Sequence, residues 1–392
     1  MQYFTLYDLI NSHAIKEGIS GKEMLSYFRA HKISKKDLMA FSQTTALPDD
    51  EAVRSSIRGF LGMSDLEVSL ALGNVPAEYR ASFYDHISEI AGILSAEKRP
   101  DSKKLKPYFT NESGTLYHAD CIETMRTIPA GSVDLIFADP PFNLNKEYDP
   151  GVDDDMTMSK YLNWTYAWLD ECIRILKPGG RIFIYNLPKW CVYIASYLGQ
   201  RLTFWDWIAI DMKATLPIQN RLYPAHYALV SYVKGTSAST FNNQRIPLQT
   251  CRHCGGEIKD YGGYKSKMNP AGVNVSDIWE DIYPVRHRNT KNRKFNELSV
   301  KLLDRVIDMS TNPGDLVFDP FGGSGTTYAV AQMEGRRWIG CEIGDCEIIK
   351  NRLVDDSKDR EQLRRVREEK GHLFTKEARA LRKKNRFWTT EE

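Results

Sequence analysis

The sequence predicts an α/β protein: a mainly parallel sheet with helices on both faces, plus a separate N-terminal helical domain. Three observations predict it. From about residue 114, short apolar runs alternate with stretches of helical spacing. One of those runs enters a glycine turn and leaves it as a helix. Before residue 100 there is no such alternation, and segments begin with helix-capping pairs.

The capping pairs are Ser34 with Asp37 and Ser64 with Glu67. Pro76 is expected to open a longer helix in which Tyr79, Phe83, Ile87, Ile90 and Leu94 share one face. The polar run 98–104 then closes a helical accessory domain, 1–100, and 101–113 reads as a linker.

The stretch 114–199 is one half of the sheet domain. Residues 116–119 predict a strand that ends at Asp120. Residues 121–128 predict a helix closed by Pro129 and Gly131. Residues 133–138 are an apolar strand stopped by Asp139-Pro140-Pro141. Tyr161, Leu162, Thr165, Trp168, Leu169, Cys172, Ile173 and Leu176 follow helical spacing, Pro178-Gly179-Gly180 ends that helix, and 181–185 returns as a strand.

Residues 200–285 are richer in Gly, Asn and aromatics and predict loops with a few strands. The second half, 286–355, holds a helix at 298–309, a buried strand at 316–318, a turn at 322–325, a helix at 326–333 and a strand at 338–341. Residues 356–392 read as a charged C-terminal tail.

Composition narrows the function. The 392 residues carry 53 Lys and Arg against 51 Asp and Glu, a net charge of +2, which excludes a histone-like polycation. A hydrophobic fraction of 42% excludes wholesale disorder. No run approaches the ~20 apolar residues of a membrane span, and the start lacks a signal-peptide pattern. A cytoplasmic protein is expected, with its seven scattered cysteines reduced.

Two motifs carry chemistry. In Asp319-Pro320-Phe321-Gly322-Gly323-Ser324-Gly325-Thr326 a buried strand runs through a glycine turn into a helix N-terminus. Such a turn lets backbone approach a ligand, and the helix end favours an anion. The next strand ends at Glu342, where a carboxylate can accept both hydroxyls of a ribose. Turn and acid together predict an adenosine-type ligand. The second motif, Asp139-Pro140-Pro141-Phe142, follows a parallel strand at the end where open sheets bind ligands. The Asp139 carboxylate and the Pro140 carbonyl can accept the two N–H bonds of a planar amine while Phe142 stacks on its ring.

Together these segments resemble the S-adenosylmethionine-dependent DNA amino-methyltransferases, which methylate adenine N6 or cytosine N4. Asp139-Pro140-Pro141-Phe142 resembles their catalytic tetrapeptide, and the glycine segment their cofactor loop. The order, catalytic before cofactor motif, resembles the β arrangement. The resemblance covers about 114–353 and implies a Rossmann-like methyltransferase sheet, S-adenosylmethionine as cofactor, double-stranded DNA as substrate, a target-recognition region at 200–285 and base flipping. It implies cofactor-binding roles for Asp120, Asp319, Phe321, Gly322, Gly323, Ser324, Gly325, Thr326 and Glu342. Asp120 also fits as an N-cap for the following helix, and both roles can hold at once. Members often show Lys-Pro or Phe-Pro before the helix that leads to the cofactor loop, where this chain has Leu298-Ser299. Residues 223–234, around His226-Tyr227, resemble the strand pair walling the target-base pocket.

An Asp-initiated tetrapeptide goes more often with adenine N6 in that family; cytosine N4 is the same-chemistry alternative, and a non-catalytic nucleic-acid binder on the same fold is the alternative of a different class. The resemblance further implies the modification arm of a restriction or defence system, with a partner for the N-terminal domain, and leaves room for a homodimer. Arg286, His287, Arg288, Lys291, Arg293 and Lys294 form a basic run suited to phosphates. The segment 260–267 mixes glycine, tyrosine and lysine, which suits either insertion into DNA or a polar loop. Cys251 and Cys254 have zinc-knuckle spacing, with a histidine or a second subunit needed to complete a site; the alternative is a tight turn with two reduced thiols.

Overall fold

The computed structural model describes residues 5–79, 105–144, 156–212, 219–220, 222–283 and 297–390, with isolated positions at 82, 85, 86, 88–90, 217 and 285. It forms two compact units, Met1–Ser102 with Asp155–Trp168, and Lys103–Asp154 with Leu169–Glu392.

The first unit starts with α1 (Leu6–Lys16), α2 (Gly21–Ala30), α3 (Lys35–Ala40), α4 (Glu51–Leu61) and α5 (Asp65–Ala71). Both predicted capping boxes form, at Ser34/Asp37 and Ser64/Glu67, and two more appear at Thr5/Asp8 and Ser20/Glu23. Leu6, Ile10, Phe28, Leu38, Ile57 and Val68 make the core these short helices share. Pro76 leads into a 3-10 turn at Ala77–Tyr79, and Tyr79 is exposed. Most of the longer helix expected there, with Phe83, Ile87 and Leu94, lies outside the described residues, as does 91–104.

The second unit begins inside the stretch read as a linker. Phe109–Thr110 is β1, paired antiparallel with β2 (Gly114–His118). Asn111 closes the turn, its side-chain oxygen accepting from Ser113 N and Gly114 N at 3.0 Å each. That local turn chemistry carries the sheet back across the predicted boundary. Next come α6 (Cys121–Thr127), β3 (Val133–Ala138), α7 (Met158–Ile175) and β4 (Leu176–Asn186).

Pro178-Gly179-Gly180 does not end the helix; it lies in the first part of β4. Pairing with β3 jumps from Val133↔Leu176 to Leu135↔Arg181, so these residues bulge out of the ladder. Gly179 adopts φ +78°, and a Cβ there would stand 1.9 Å from the Ser239 hydroxyl. The bulge is thus built around the missing side chain.

Then follow α8 (Pro188–Gly199), β5 (Thr203–Asp211), β6 (His226–Val233), β7 (Arg245–Ile246), β8 (Val273–Asn274) and β9 (Ile278–Trp279). Within 200–285, β5 and β6 are long strands of the main sheet. Their β-rich runs bury Ile208, Leu229 and Val230 in its core, as any sheet strand would. Irregular chain begins only after β6.

The remainder is α9 (Val300–Ser310), β10 (Leu316–Asp319), α10 (Thr326–Met333), β11 (Arg337–Glu342), α11 (Cys346–Val354), α12 (Ser357–Glu369) and α13 (Lys376–Lys384). The charged tail is therefore two helices. Leu363, Leu373 and Phe374 are buried here, and so is Arg382 of α13. Its guanidinium donates to the carbonyls of Gly255 (2.7 Å), Gly256 and, through Nε, Trp388 (2.8 Å).

The sheet order is β1-β2-β11-β10-β3-β4-β6-β5-β9. Strands β2, β11, β10, β3 and β4 run parallel, while β6 runs antiparallel to both β4 and β5. The chain leaves β10 toward β11 on one side and β3 toward β4 on the other. The carboxyl ends of β10 and β3 thus flank the crevice where open α/β sheets bind ligands. Asp134 ties these strands together: it accepts from Leu316 N at 2.8 Å and pairs with Lys177 at 2.7 Å.

Candidate active site

β10 delivers Asp319 to the crevice nearly buried. Its carboxylate accepts from Phe321 N at 2.8 Å and from the Thr327 hydroxyl at 2.5 Å. Burial pushes this carboxyl well above its ordinary range, Thr327 and Phe321 oppose the shift, and the nearby charges of Asp139 and Glu342 add to it. Asp319 thus shapes the turn with its own side chain.

The turn that follows is tight. Gly322 N donates to Cys341 O at 3.0 Å and Gly325 N to Gly322 O at 2.7 Å. A Cβ on Gly322 would stand 2.8 Å from the Tyr328 hydroxyl; on Gly325 (φ +79°) it would stand 2.8 Å from Ile349. Only glycine lets the loop lie this close to β11 and α11. The N-cap of α10 is Gly325, which has no side chain to cap the helix, so the positive end of α10 faces the turn.

The outer wall of the loop is held by a residue that no motif marked. Arg352, buried on α11, donates to Ser324 O (3.0 Å), Ser324 Oγ (3.1 Å) and Thr326 Oγ1 (2.8 Å). The same guanidinium pairs with Asp359 at 2.8 Å and Glu297 at 3.1 Å. Ser324 and Thr326 therefore serve as anchors of the loop. An arginine inside an amphipathic helix gives no sequence signal for this role.

β11 brings in Glu342. Its Oε2 accepts from Gly323 N at 2.6 Å, and Oε1 accepts from Ile343 N and Gly344 N at 2.9 and 2.8 Å. Each carboxylate oxygen has two lone pairs, so Oε2 keeps one acceptor site beyond the loop amide. Glu342 pairs in register with His118 of the neighbouring β2, which places Asp120 beside it. Asp120 is the N-cap of α6, its Oδ1 accepting from Ile122 N at 2.8 Å and Glu123 N at 3.2 Å. The capping role is present, and it engages only one carboxylate oxygen among the described residues.

β3 delivers Asp139, half-buried, followed by buried Pro140. The Phe142 carbonyl accepts from Trp190 Nε1 at 2.7 Å, which fixes the end of the tetrapeptide. The Phe142 ring lies 6.2 Å from Tyr185 and 5.8 Å from Tyr227, and those two rings are 4.9 Å apart. Tyr185, at the end of β4, was not singled out by sequence. Burial first, then the nearby charge of Asp139, raises its phenol well above its ordinary range. Asp139 thus stands between the glycine-turn acid and a three-ring aromatic wall.

Ser299, where relatives of this kind often carry proline, caps α9 by accepting from Leu302 N at 3.2 Å. The basic run 286–294 lies outside the described residues. The 260–267 segment is an exposed turn, with Tyr261 73% and Tyr264 50% accessible. Cys251 and Cys254 are exposed, and among the described residues no group of three His, Cys, Asp or Glu could hold a metal.

The family described as DNA methylase matches residues 133–351. The chain is 53% identical to the type II methyltransferase M.BamHI of Bacillus amyloliquefaciens, over all of this chain and 94% of that protein. It is 32% identical to the DNA adenine methyltransferase YhdJ of Escherichia coli (strain K12), over 69% of this chain and 93% of that protein. Among solved structures it resembles the cytosine-N4-specific PvuII DNA methyltransferase at 20% identity and a TM-score of 0.48, covering 67% of this chain and 95% of that one. With Asp139-Pro140-Pro141-Phe142 and the glycine turn on adjoining strand ends, the chain belongs to the DNA methylase family, the S-adenosylmethionine-dependent N6/N4 amino-methyltransferases.

Proposed function

We propose that this enzyme methylates the exocyclic N6 of an adenine flipped out of double-stranded DNA. The observation that carries the reading is the position of Asp139, beside Asp319 of the glycine turn on one side and the Phe142, Tyr185 and Tyr227 rings on the other.

S-adenosylmethionine suits the donor set. Glu342 and Asp120 are two carboxylates on adjacent strand ends, each retaining acceptor capacity for hydroxyl or amine donors. The uncapped α10 N-terminus suits a carboxylate. Asp319, Phe321, Gly322, Gly323, Ser324, Gly325 and Thr326 shape the cradle between them. When bound, the cofactor supplies a methyl on a sulfonium, already a good leaving group.

The protein's work lies on the nucleophile. Asp139 and the Pro140 carbonyl accept the two N–H bonds of the target amine and draw its lone pair out of conjugation. Pro141 keeps the backbone fixed. Holding donor and acceptor in place is worth about 7–11 kcal/mol in such a step. Stacking on Phe142, at about 1–3 kcal/mol per base, offsets part of the cost of flipping.

Adenine is supported by the Asp-initiated tetrapeptide and by the likeness to the E. coli DNA adenine methyltransferase. The type II relative supports a modification role in a restriction system. The region 200–285, which exposes Tyr261 and Tyr264, is assigned to target recognition. The N-terminal helices are assigned to a partner or a second copy. Nuclease digestion of DNA from cells carrying the protein, with mass detection of modified nucleosides, tests the reading. N6-methyladenine is expected; N4-methylcytosine overturns the base assignment, and unmodified DNA overturns the activity.

A further inference from the structure

The seven cysteines divide sharply. Cys121, Cys172, Cys191, Cys341 and Cys346 are buried, and burial raises all five thiols. Cys251 and Cys254 are exposed, in one turn closed by Gly255 N donating to Cys251 O at 2.8 Å.

The turn is also braced from outside. Asn385 Nδ2 donates to Cys254 O at 2.8 Å, and buried Arg382 donates to Gly255 O and Gly256 O while lying 4.5 Å over the Phe374 ring. Gly255 (φ +75°) and Gly256 (φ +60°) give the chain the left-handed path this needs. The two sulfurs are thus presented together on a fixed scaffold with solvent access.

We propose that Cys251 and Cys254 form a reversible dithiol–disulfide couple that reacts with low-molecular-weight disulfides. The Cys251 thiolate attacks one sulfur of the disulfide RSSR, forming a mixed disulfide and expelling RS⁻, which takes up the proton that Cys251 released. The Cys254 thiolate then attacks the Cys251 sulfur and expels the second RS⁻, which is protonated in turn. Two protein thiols are oxidised by two electrons and RSSR is reduced to two RSH. This step uses none of the residues proposed to hold the methyl donor or the target amine.

The test titrates the full-length protein against oxidised and reduced glutathione at neutral pH, with differential alkylation and mass spectrometry of the 251–254 peptide. The expected product has lost two hydrogens, resists alkylation at both positions and is restored by excess reduced glutathione. Cys254→Ser is expected to stop at a glutathione adduct on Cys251, and Cys251→Ser at an adduct on Cys254. Wild-type protein that stops at mixed disulfides overturns the proposal. So does protein purified with stoichiometric zinc that shields both thiols until it is chelated.

Discussion

Asp139 and Asp319 stand at the carboxyl ends of two parallel neighbours, β3 and β10, close enough for the charge of one to raise the pKa of the other. More than half of the catalytic unit separates them in sequence. The register pairs Val317↔Leu135 and Phe318↔Ile136 bring them together at neighbouring strand ends.

Asp139→Ala is expected to lower methyl transfer by ~10²–10⁴, the usual contribution of a placed carboxylate. DNA affinity, followed by mobility shift, should hold, because the aromatic wall and the surface loops are untouched. Undiminished turnover of labelled methyl into DNA would remove Asp139 from the mechanism.

Phe142→Ala removes the ring that meets Tyr185 and Tyr227. A loss of about 1–3 kcal/mol in base stabilisation is expected, read as weaker fluorescence enhancement from 2-aminopurine at the target position. Calorimetric affinity for S-adenosylmethionine should stay near wild type. An equal loss of cofactor affinity would place the ring on the other side of the cleft.

Arg352→Met removes the guanidinium that pairs with the buried Asp359 and Glu297 carboxylates and donates to Ser324 and Thr326. Breaking a buried pair of this kind costs about 3–5 kcal/mol. Both the melting temperature and cofactor affinity are expected to fall. A variant that melts normally and binds cofactor normally would show that the loop holds its shape without this anchor.

Glu334 links acidity to stability. Burial, then the neighbouring Asp304 carboxylate, pushes its carboxyl from the ordinary 4.5 up to about 9, against the pull of Arg336 and Arg367. The folded protein therefore keeps a proton that the unfolded chain gives up. Stability from this group is full below about pH 4.5 and is lost as pH rises toward 9. In Glu334→Gln that decline should disappear, so melting temperature should fall less between pH 5 and pH 9 than in wild type. Parallel curves for the two proteins would count against the protonated carboxyl.

Sequence by itself determined what depends on neighbours along the chain. The capping boxes at Ser34 and Ser64 satisfy backbone amides three residues away. The strand Val133–Ala138 and the helix Thr326–Met333 follow from apolar runs bounded by proline and glycine. Tertiary structure decided what depends on partners distant in sequence. It turned Pro178-Gly179-Gly180 from a helix stop into a bulge, because Ser239 fills the space a Gly179 side chain would need. It drew β5 and β6 into the sheet, buried Arg382 among carbonyls that lie more than a hundred residues away, and set Arg352 behind the glycine turn. Local pattern encodes a hydrogen bond three or four residues long; a guanidinium's choice of distant acceptors is fixed only when the core closes around it.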